Sequence, residues 1–302
     1  MGQQFASASV LMRYIVDDLF RSVNLPTTGW LRQVLAAPLR PPLQRFVDMA
    51  TEFDRRVAEE GLRDAMRWMT ARYVRGVTTY GVEQVPQEGP LLLVSNHPGT
   101  FDGIVIASQL PRRDLTIVAS GFPFLRSLPA TSRHLILVTH QDPYGRMSAL
   151  RTIIRRLRAG EALMIFPSGR IEPDPDLLPG AREALDAWSP SLDLIIRKVP
   201  EAKIMVSIVS GVIAPSCLHY PFIRLRKEIL EQQKLAGFVQ LVQQMFFPHR
   251  FGLVPRISFG QPLSLGDLSA ADYAHNLNRL VVERAQQLLV LHAQRSLAFA
   301  QV

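Results

Sequence analysis

Ser95-Asn96-His97-Pro98-Gly99-Thr100-Phe101-Asp102 directly follows the apolar run Leu91 to Val94. Such a run, bounded by polar residues, reads as a short strand. Pro98 lacks a backbone N–H and Gly99 tolerates a sharp turn, so the strand gives way to a turn immediately after His97. Asp102, five positions beyond the histidine, is then placed to fold back onto it. A neutral imidazole is a competent base near neutral pH. A carboxylate on its far nitrogen fixes the tautomer and stabilises the imidazolium formed when a proton is taken. The bland alternative is a chance pair of polar residues. The preceding strand, Asn96 and the Pro-Gly turn argue for a working pair.

The pattern around this segment alternates strands with helices. Short apolar runs recur at Leu115 to Val118, Leu135 to Val138, Glu161 to Phe166 and Lys203 to Val209, with a weaker one at Arg256 to Phe259. Helical spacing is clearest over Ser148 to Leu157 and Leu178 to Trp188. Residues 276–299 read as a last helix with Leu277, Leu280, Val281, Leu288 and Leu291 inward. Alternation of this kind predicts an α/β domain over residues 79–302, with a mixed, largely parallel sheet flanked by helices.

Residues 1–78 differ in texture and predict a helical N-terminal extension. Apolar stripes run through Leu11, Tyr14, Ile15 and Leu19, then Phe46, Met49, Phe53 and Val57, then Leu62, Met66, Met69 and Tyr73. Pro26, Pro38, Pro41 and Pro42 break the region into several short helices. These helices either pack on the main body or present apolar faces to a bilayer.

In α/β sheets, functional groups gather beyond the carboxyl ends of the strands. Three polar clusters sit at such exits. The first is His97 with Asp102. The second is Phe166-Pro167-Ser168-Gly169-Arg170, where Gly169 lets backbone N–H groups approach an anion and Arg170 offers a fork suited to phosphate. An ordinary strand-exit turn with a surface arginine is the alternative. The third is Val138-Thr139-His140-Gln141-Asp142, with Arg146 nearby. It reads either as a further phosphate contact through His140 or Arg146, or as a solvated loop.

No Gly-x-Ser-x-Gly elbow appears, and Cys217 has no base beside it in sequence. This favours direct transfer, in which His97 deprotonates a bound alcohol that attacks an activated acyl group. No histidine–carboxylate set has metal-ligand spacing, so no metal is implied.

The bulk composition narrows the setting. A chain of 302 residues with 47% hydrophobic and 20% charged residues is globular rather than disordered. A single cysteine excludes an internal disulfide. Met1 to Leu19 lacks the pattern of a signal peptide, and no window reaches the length of a spanning helix. The net charge of +8 calls for an acidic partner. Phe246-Phe247-Pro248-His249-Arg250-Phe251 mixes aromatics with cations as an interfacial anchor does. Arg224, Arg226 and Lys227, and the helical set Arg151, Arg155, Arg156 and Arg158, add basic surface. The expected setting is cytoplasmic, peripheral on the inner face of a membrane. No basic-aromatic nucleic-acid module is present, and nucleic acid is not an expected partner.

Asn96-His97, four residues and Asp102, followed some seventy residues later by Phe166-Pro167-Ser168-Gly169-Arg170, resemble the glycerolipid acyltransferase family, which includes 1-acylglycerol-3-phosphate and glycerol-3-phosphate acyltransferases. The resemblance covers roughly residues 80–260, and Ile204 to Val212 resembles its fourth, apolar block. It implies His97 as general base, Asp102 as its orienting partner, and Ser168, Gly169 and Arg170 as acceptor-binding. Acyl-CoA or acyl carrier protein is implied as co-substrate, with a glycerol-phosphate or lysophospholipid acceptor and no cofactor.

Ser168 replaces the family's usual glutamate, His140 stands where its second block carries an arginine, and Ser207 stands where its fourth carries a proline. Pro-Ser-Gly followed by arginine looks more like the plastid-type glycerol-3-phosphate acyltransferases, although Glu172 falls where a second basic residue is expected. A non-catalytic lipid-binding protein of the same fold is the alternative.

Overall fold

Leu91, Leu92, Leu93 and Val94 lie at the centre of a seven-stranded sheet and face two cores alternately. Leu91 and Leu93 enter one, Leu92 and Val94 the other. All four are fully buried, which is why this strand is a continuous apolar run rather than an alternating one. The structure, a computed structural model, describes residues 28–30, 37, 40–99, 101–139, 142–267 and 276–299. The stripe Leu11 to Leu19 lies outside these residues, as does His140.

The strands are β1 (Thr78–Tyr80), β2 (Leu91–Ser95), β3 (Leu115–Ser120), β4 (Leu135–Val138), β5 (Ala162–Ile165), β6 (Lys203–Ser210) and β7 (Arg256–Phe259). Their order in the sheet is β1-β7-β6-β2-β5-β3-β4. β2 pairs in parallel with β5 and β6, and β3 in parallel with β4 and β5. β7 runs antiparallel to β6 and parallel to β1. Five strands, β2 to β6, therefore end on one edge of a mixed, largely parallel sheet.

Helices cover both faces. One side carries α1 (Arg40–Glu60), α2 (Leu62–Tyr73), α3 (Asp102–Gln109) and α10 (Ile229–Phe246). The other carries α5 (Pro143–Arg158), α6 (Ala181–Leu185), α7 (Ser191–Lys198) and α11 (Leu277–Phe299). Three short helices, α4 (Pro123–Arg126), α8 (Pro215–Leu218) and α9 (Pro221–Arg224), each begin at a proline, whose fixed φ suits a first turn.

The stripes of α1 and α2 pack into the same core as β2, β6 and α3. A buried carboxylate adds a polar tie: Asp54 of α1 accepts from Thr131 N and Thr131 Oγ1, both at 2.7 Å, and from Ala130 N at 3.3 Å.

Three readings of the sequence change. β1 was not visible as a strand, because its three residues are only half-buried and form no apolar run. The stretch Leu178 to Trp188 is helical only at Ala181–Leu185, since Gly180 adopts φ +89° immediately before it. In α11, Leu291 is exposed, and the helical phase turns His292 inward instead. There His292 Nε2 lies 2.7 Å from Ser210 Oγ and Nδ1 lies 2.9 Å from Ser258 Oγ. Both serines are fully buried, so this histidine–serine set is a structural network without access to substrate.

Replacing Asp54 with alanine orphans two buried N–H groups and a hydroxyl. The expected loss is about 2–3 kcal/mol of unfolding free energy, read from urea denaturation.

Candidate active site

β2 ends at Ser95, whose hydroxyl donates to Ser207 O at 3.2 Å. Asn96 then continues the ladder with its side chain. Nδ2 donates to Val209 O at 2.9 Å, and Oδ1 accepts from Val209 N at 2.8 Å. A buried side-chain amide thus stands in for a backbone pair and fixes where the chain leaves the sheet. Gly99 is favoured by space rather than by a special φ: a Cβ there would lie 3.0 Å from Val212 Cγ2 and 3.2 Å from Ile213 Cδ1, so both side chains would have to give slightly.

The turn brings Asp102 back onto the histidine, as the sequence spacing predicts. Asp102 Oδ2 lies 2.7 Å from His97 Nδ1 and accepts from Gly99 N at 3.0 Å. Oδ1 accepts from Gly103 N at 2.6 Å. Asp102 is the first residue of α3, where the helix dipole favours a negative charge. Because both of its oxygens already accept from backbone N–H groups, it faces Nδ1 as an acceptor. The ring proton therefore sits on Nδ1 and the lone pair on Nε2. Nε2 has no hydrogen-bond partner among the described residues, and the imidazole stays partly open to solvent. Burial pulls the His97 pKa down, but the charge and hydrogen bond of Asp102, with the charge of Glu172, outweigh it and raise the value above 6.5.

The second cluster reaches the same histidine. Phe166 stacks on the His97 ring with centroids 4.4 Å apart and planes at 23°. Further along, Glu172 N donates to His97 O at 2.8 Å. The turn Ser168 to Arg170 is held between these two contacts. Within it Gly169 adopts φ +63° and its N–H donates to Phe166 O at 3.0 Å, while Ser168 Oγ donates to Arg170 O at 3.0 Å. Arg170 is exposed and makes no side-chain hydrogen bond or ion pair among the described residues.

Of the third cluster, Arg146 is not joined to them. Arg146 is exposed on the first turn of α5, after β4. β4 is three places from β2 in the sheet, about 14 Å at ordinary strand spacing.

Two residues of the site escaped the sequence reading. Glu172, noted there only as a departure from a basic position, is buried. Trp188 Nε1 donates to its Oε1 at 3.1 Å, and Oε2 has no hydrogen-bond partner among the described residues. Burial raises its carboxyl to about 7, against the opposing influence of Ser168, Trp188 and His97.

Gln233 of α10 is also buried, and its amide joins three loops. Oε1 accepts from Asp174 N at 3.1 Å, while Nε2 donates to Glu172 O at 2.7 Å and to Pro98 O. The signal for it is a face of α10 on which Gln233, Gln240 and Gln244 recur beside Ala236 and Gly237. Glutamines ordinarily face water, and in the fold this face is buried.

Among the described residues no group of three His, Cys, Asp or Glu side chains is arranged to hold a metal ion, and no helix is long and apolar enough to cross a membrane.

Residues 76–193 match the family model Acyltransferase. Over that span, 118 of the 302 residues, the chain is similar to the acyltransferase family. The matched span contains both the His97–Asp102 pair and the Phe166–Arg170 turn, and the O-acyltransferase reading of the sequence stands at this level. Comparison with curated proteins returns no match. Among solved structures, the 1-acyl-sn-glycerophosphate (LPA) acyltransferase PlsC from Thermotoga maritima is similar at 16% identity. The likeness covers 93% of this chain and 96% of that one, with a TM-score of 0.39. That score is too low for any residue to be carried across.

Two outcomes follow from the buried polar groups beside His97. The folded state keeps the Glu172 proton up to about 7, whereas an unfolded carboxyl releases it near 4.5. The folded chain thus binds more protons between these values, so stability is highest below 4.5 and declines as pH rises through 7. Glu172→Gln should remove up to about 3 kcal/mol of that decline, seen as flatter urea midpoints between pH 5 and 8. Gln233→Leu strands one N–H and two carbonyls, and should cost about 2–4 kcal/mol together with a fall in turnover.

Proposed function

We propose that this protein transfers a fatty acyl group from acyl-CoA or acyl carrier protein to the hydroxyl of a glycerol-phosphate or lysophospholipid acceptor, in phospholipid biosynthesis. The observation that carries the reading is the 2.7 Å contact of His97 Nδ1 with Asp102, which leaves Nε2 without a hydrogen-bond partner among the described residues on a partly exposed imidazole. The acyltransferase-family match over the same residues supports it.

Nε2 takes the proton of the acceptor O–H as the oxygen attacks the thioester carbonyl carbon. A C–O bond forms and a tetrahedral oxyanion results. Collapse re-forms the carbonyl and breaks the C–S bond. The proton on the imidazolium passes to the departing sulfur, giving an ester and a free thiol and restoring His97. Asp102 stabilises the imidazolium between these steps.

Arg170, exposed and without an ion pair among the described residues, binds the acceptor phosphate, and Ser168 and Gly169 shape the loop around it. Arg146, on the far side of β3, suits a longer acceptor or the donor rather than the same phosphate. The exposed basic surface supports a peripheral position on the inner, anionic face of a membrane.

The test presents labelled acyl-CoA and acyl carrier protein to glycerol-3-phosphate, lysophosphatidate and other lyso-lipids. His97→Ala should lower ester formation by roughly 10²–10⁴-fold with the fold intact. Full activity in that variant overturns the mechanism.

The pH profile supplies a second check. The base works unprotonated and its pKa is raised, so kcat/KM should fall on acidification with a midpoint above 6.5. Asp102→Asn removes the attraction that raises it. Its midpoint should move to lower pH while the plateau drops.

A further inference from the structure

The edge of the sheet that carries His97 also carries exposed apolar side chains interleaved with exposed cations. β6 lies beside β2, and its exit runs through α8 and α9 to the start of α10. This exit is firmly held. Ile223 is fully buried, and Gln243 Nε2 donates to Tyr220 Oη at 3.0 Å. Around that anchor Phe222 is 49% exposed, Leu225 82% and Ile229 42%.

Arg224, Arg226 and Lys227 are exposed between them, and none forms an ion pair with a carboxylate among the described residues. Glu228 is the single acid from Tyr220 to Ile229, so the segment keeps a net positive charge. On the other side of β2, the exits of β3 and β4 expose Phe122 and Tyr144 together with Arg126 and Arg146. In sheet order the strand that delivers His97 lies between the two sets.

Water alone does not favour so much apolar surface on one edge. A second protein surface would match the apolar side chains, but three exposed cations within four residues ask for a dense negative field beside an apolar layer. An anionic lipid bilayer supplies both, headgroup charge for the arginines and lysine and acyl chains for Phe222, Leu225 and Ile229. Gln233, one helical turn past Ile229, bonds Pro98 O, so the segment is coupled directly to the loop that holds His97.

We propose that residues 222–229 seat this protein on an anionic membrane surface, with the Phe122 and Tyr144 exits as a second point of contact, so that the edge bearing His97 faces the lipid. The inference rests on the acyl-transfer reading only for what reaches His97; the docking is a property of the surface itself.

The test is co-sedimentation of the full chain with vesicles of phosphatidylcholine alone or mixed with phosphatidylglycerol. Two variants are compared, Phe222→Ser with Leu225→Ser, and Arg224→Gln with Arg226→Gln and Lys227→Gln. All five side chains are exposed, and unchanged thermal melting confirms the fold. Wild type should bind the anionic vesicles, and each variant should lose roughly tenfold or more in partitioning. Both variants should turn over a water-soluble short-chain acceptor as wild type does, and a vesicle-borne acceptor more slowly.

Equal vesicle binding by wild type and both variants overturns the proposal. So does intact vesicle binding with loss of a dimer in gel filtration, which would assign the surface to a second copy. Variant-sensitive vesicle binding without any acyl transfer sustains the docking surface and removes only the catalytic reading.

Discussion

Asp102 accepts three hydrogen-bonding partners at once, and the geometry of the site depends on this. Its two oxygens take Gly99 N and Gly103 N and still face His97 Nδ1. A carboxylate held on both sides by backbone N–H groups, at the start of a helix, cannot rotate away from the imidazole without leaving those groups unsatisfied in a buried setting. The turn, the tautomer of the histidine and the direction of its free nitrogen follow from one side chain. The same helix start that stabilises the carboxylate also closes the loop, so local folding and preparation of the base are one event.

That loop needs a rigid frame on its other sides. Asn96 extends the β2–β6 ladder by one side-chain pair, and Gly99 packs so closely against Val212 and Ile213 that a Cβ would push on both side chains. Gln233 closes the frame from α10 by joining Pro98, Glu172 and Asp174. These contacts come from β6 and α10, more than a hundred residues away in sequence. They explain why a site written in two short motifs requires the sheet and the helix beyond the span that matches the acyltransferase family. Glu172 belongs to the same frame through its backbone, while its carboxyl is left half-satisfied and close in charge to the histidine. A second titrating group beside the base is the cost of threading the Phe166–Arg170 turn so tightly past His97.

The sequence made the strand order of events legible but not the neighbours. Continuous apolar runs identified β2 through β6 because both faces of a covered parallel sheet are dry. β1 was missed because a short, half-buried edge strand carries no such run. The α10 glutamines were missed for the opposite reason. A glutamine's intrinsic preference is for water, and only the convergence of unpaired loop amides and carbonyls reverses it. In α11, Leu291 reads as inward by hydrophobicity, yet the helical phase exposes it and buries His292 against Ser210 and Ser258.

By itself the sequence determined that a strand ends in a histidine, that a proline and glycine turn the chain there, and that an aspartate returns five positions later. Those facts are local, set by backbone constraints over eight residues. It also determined that a serine–glycine–arginine turn follows another strand. Only the tertiary structure decided that the two motifs meet, through Phe166 stacked on His97 and Glu172 N bonded to His97 O. It also decided that Arg146 stands apart from them, three strands away. The physical reason is sheet order. β2 and β5 are adjacent although sixty-six residues of chain separate the end of one from the start of the other, whereas β4, nearer in sequence, pairs with β3 at the edge.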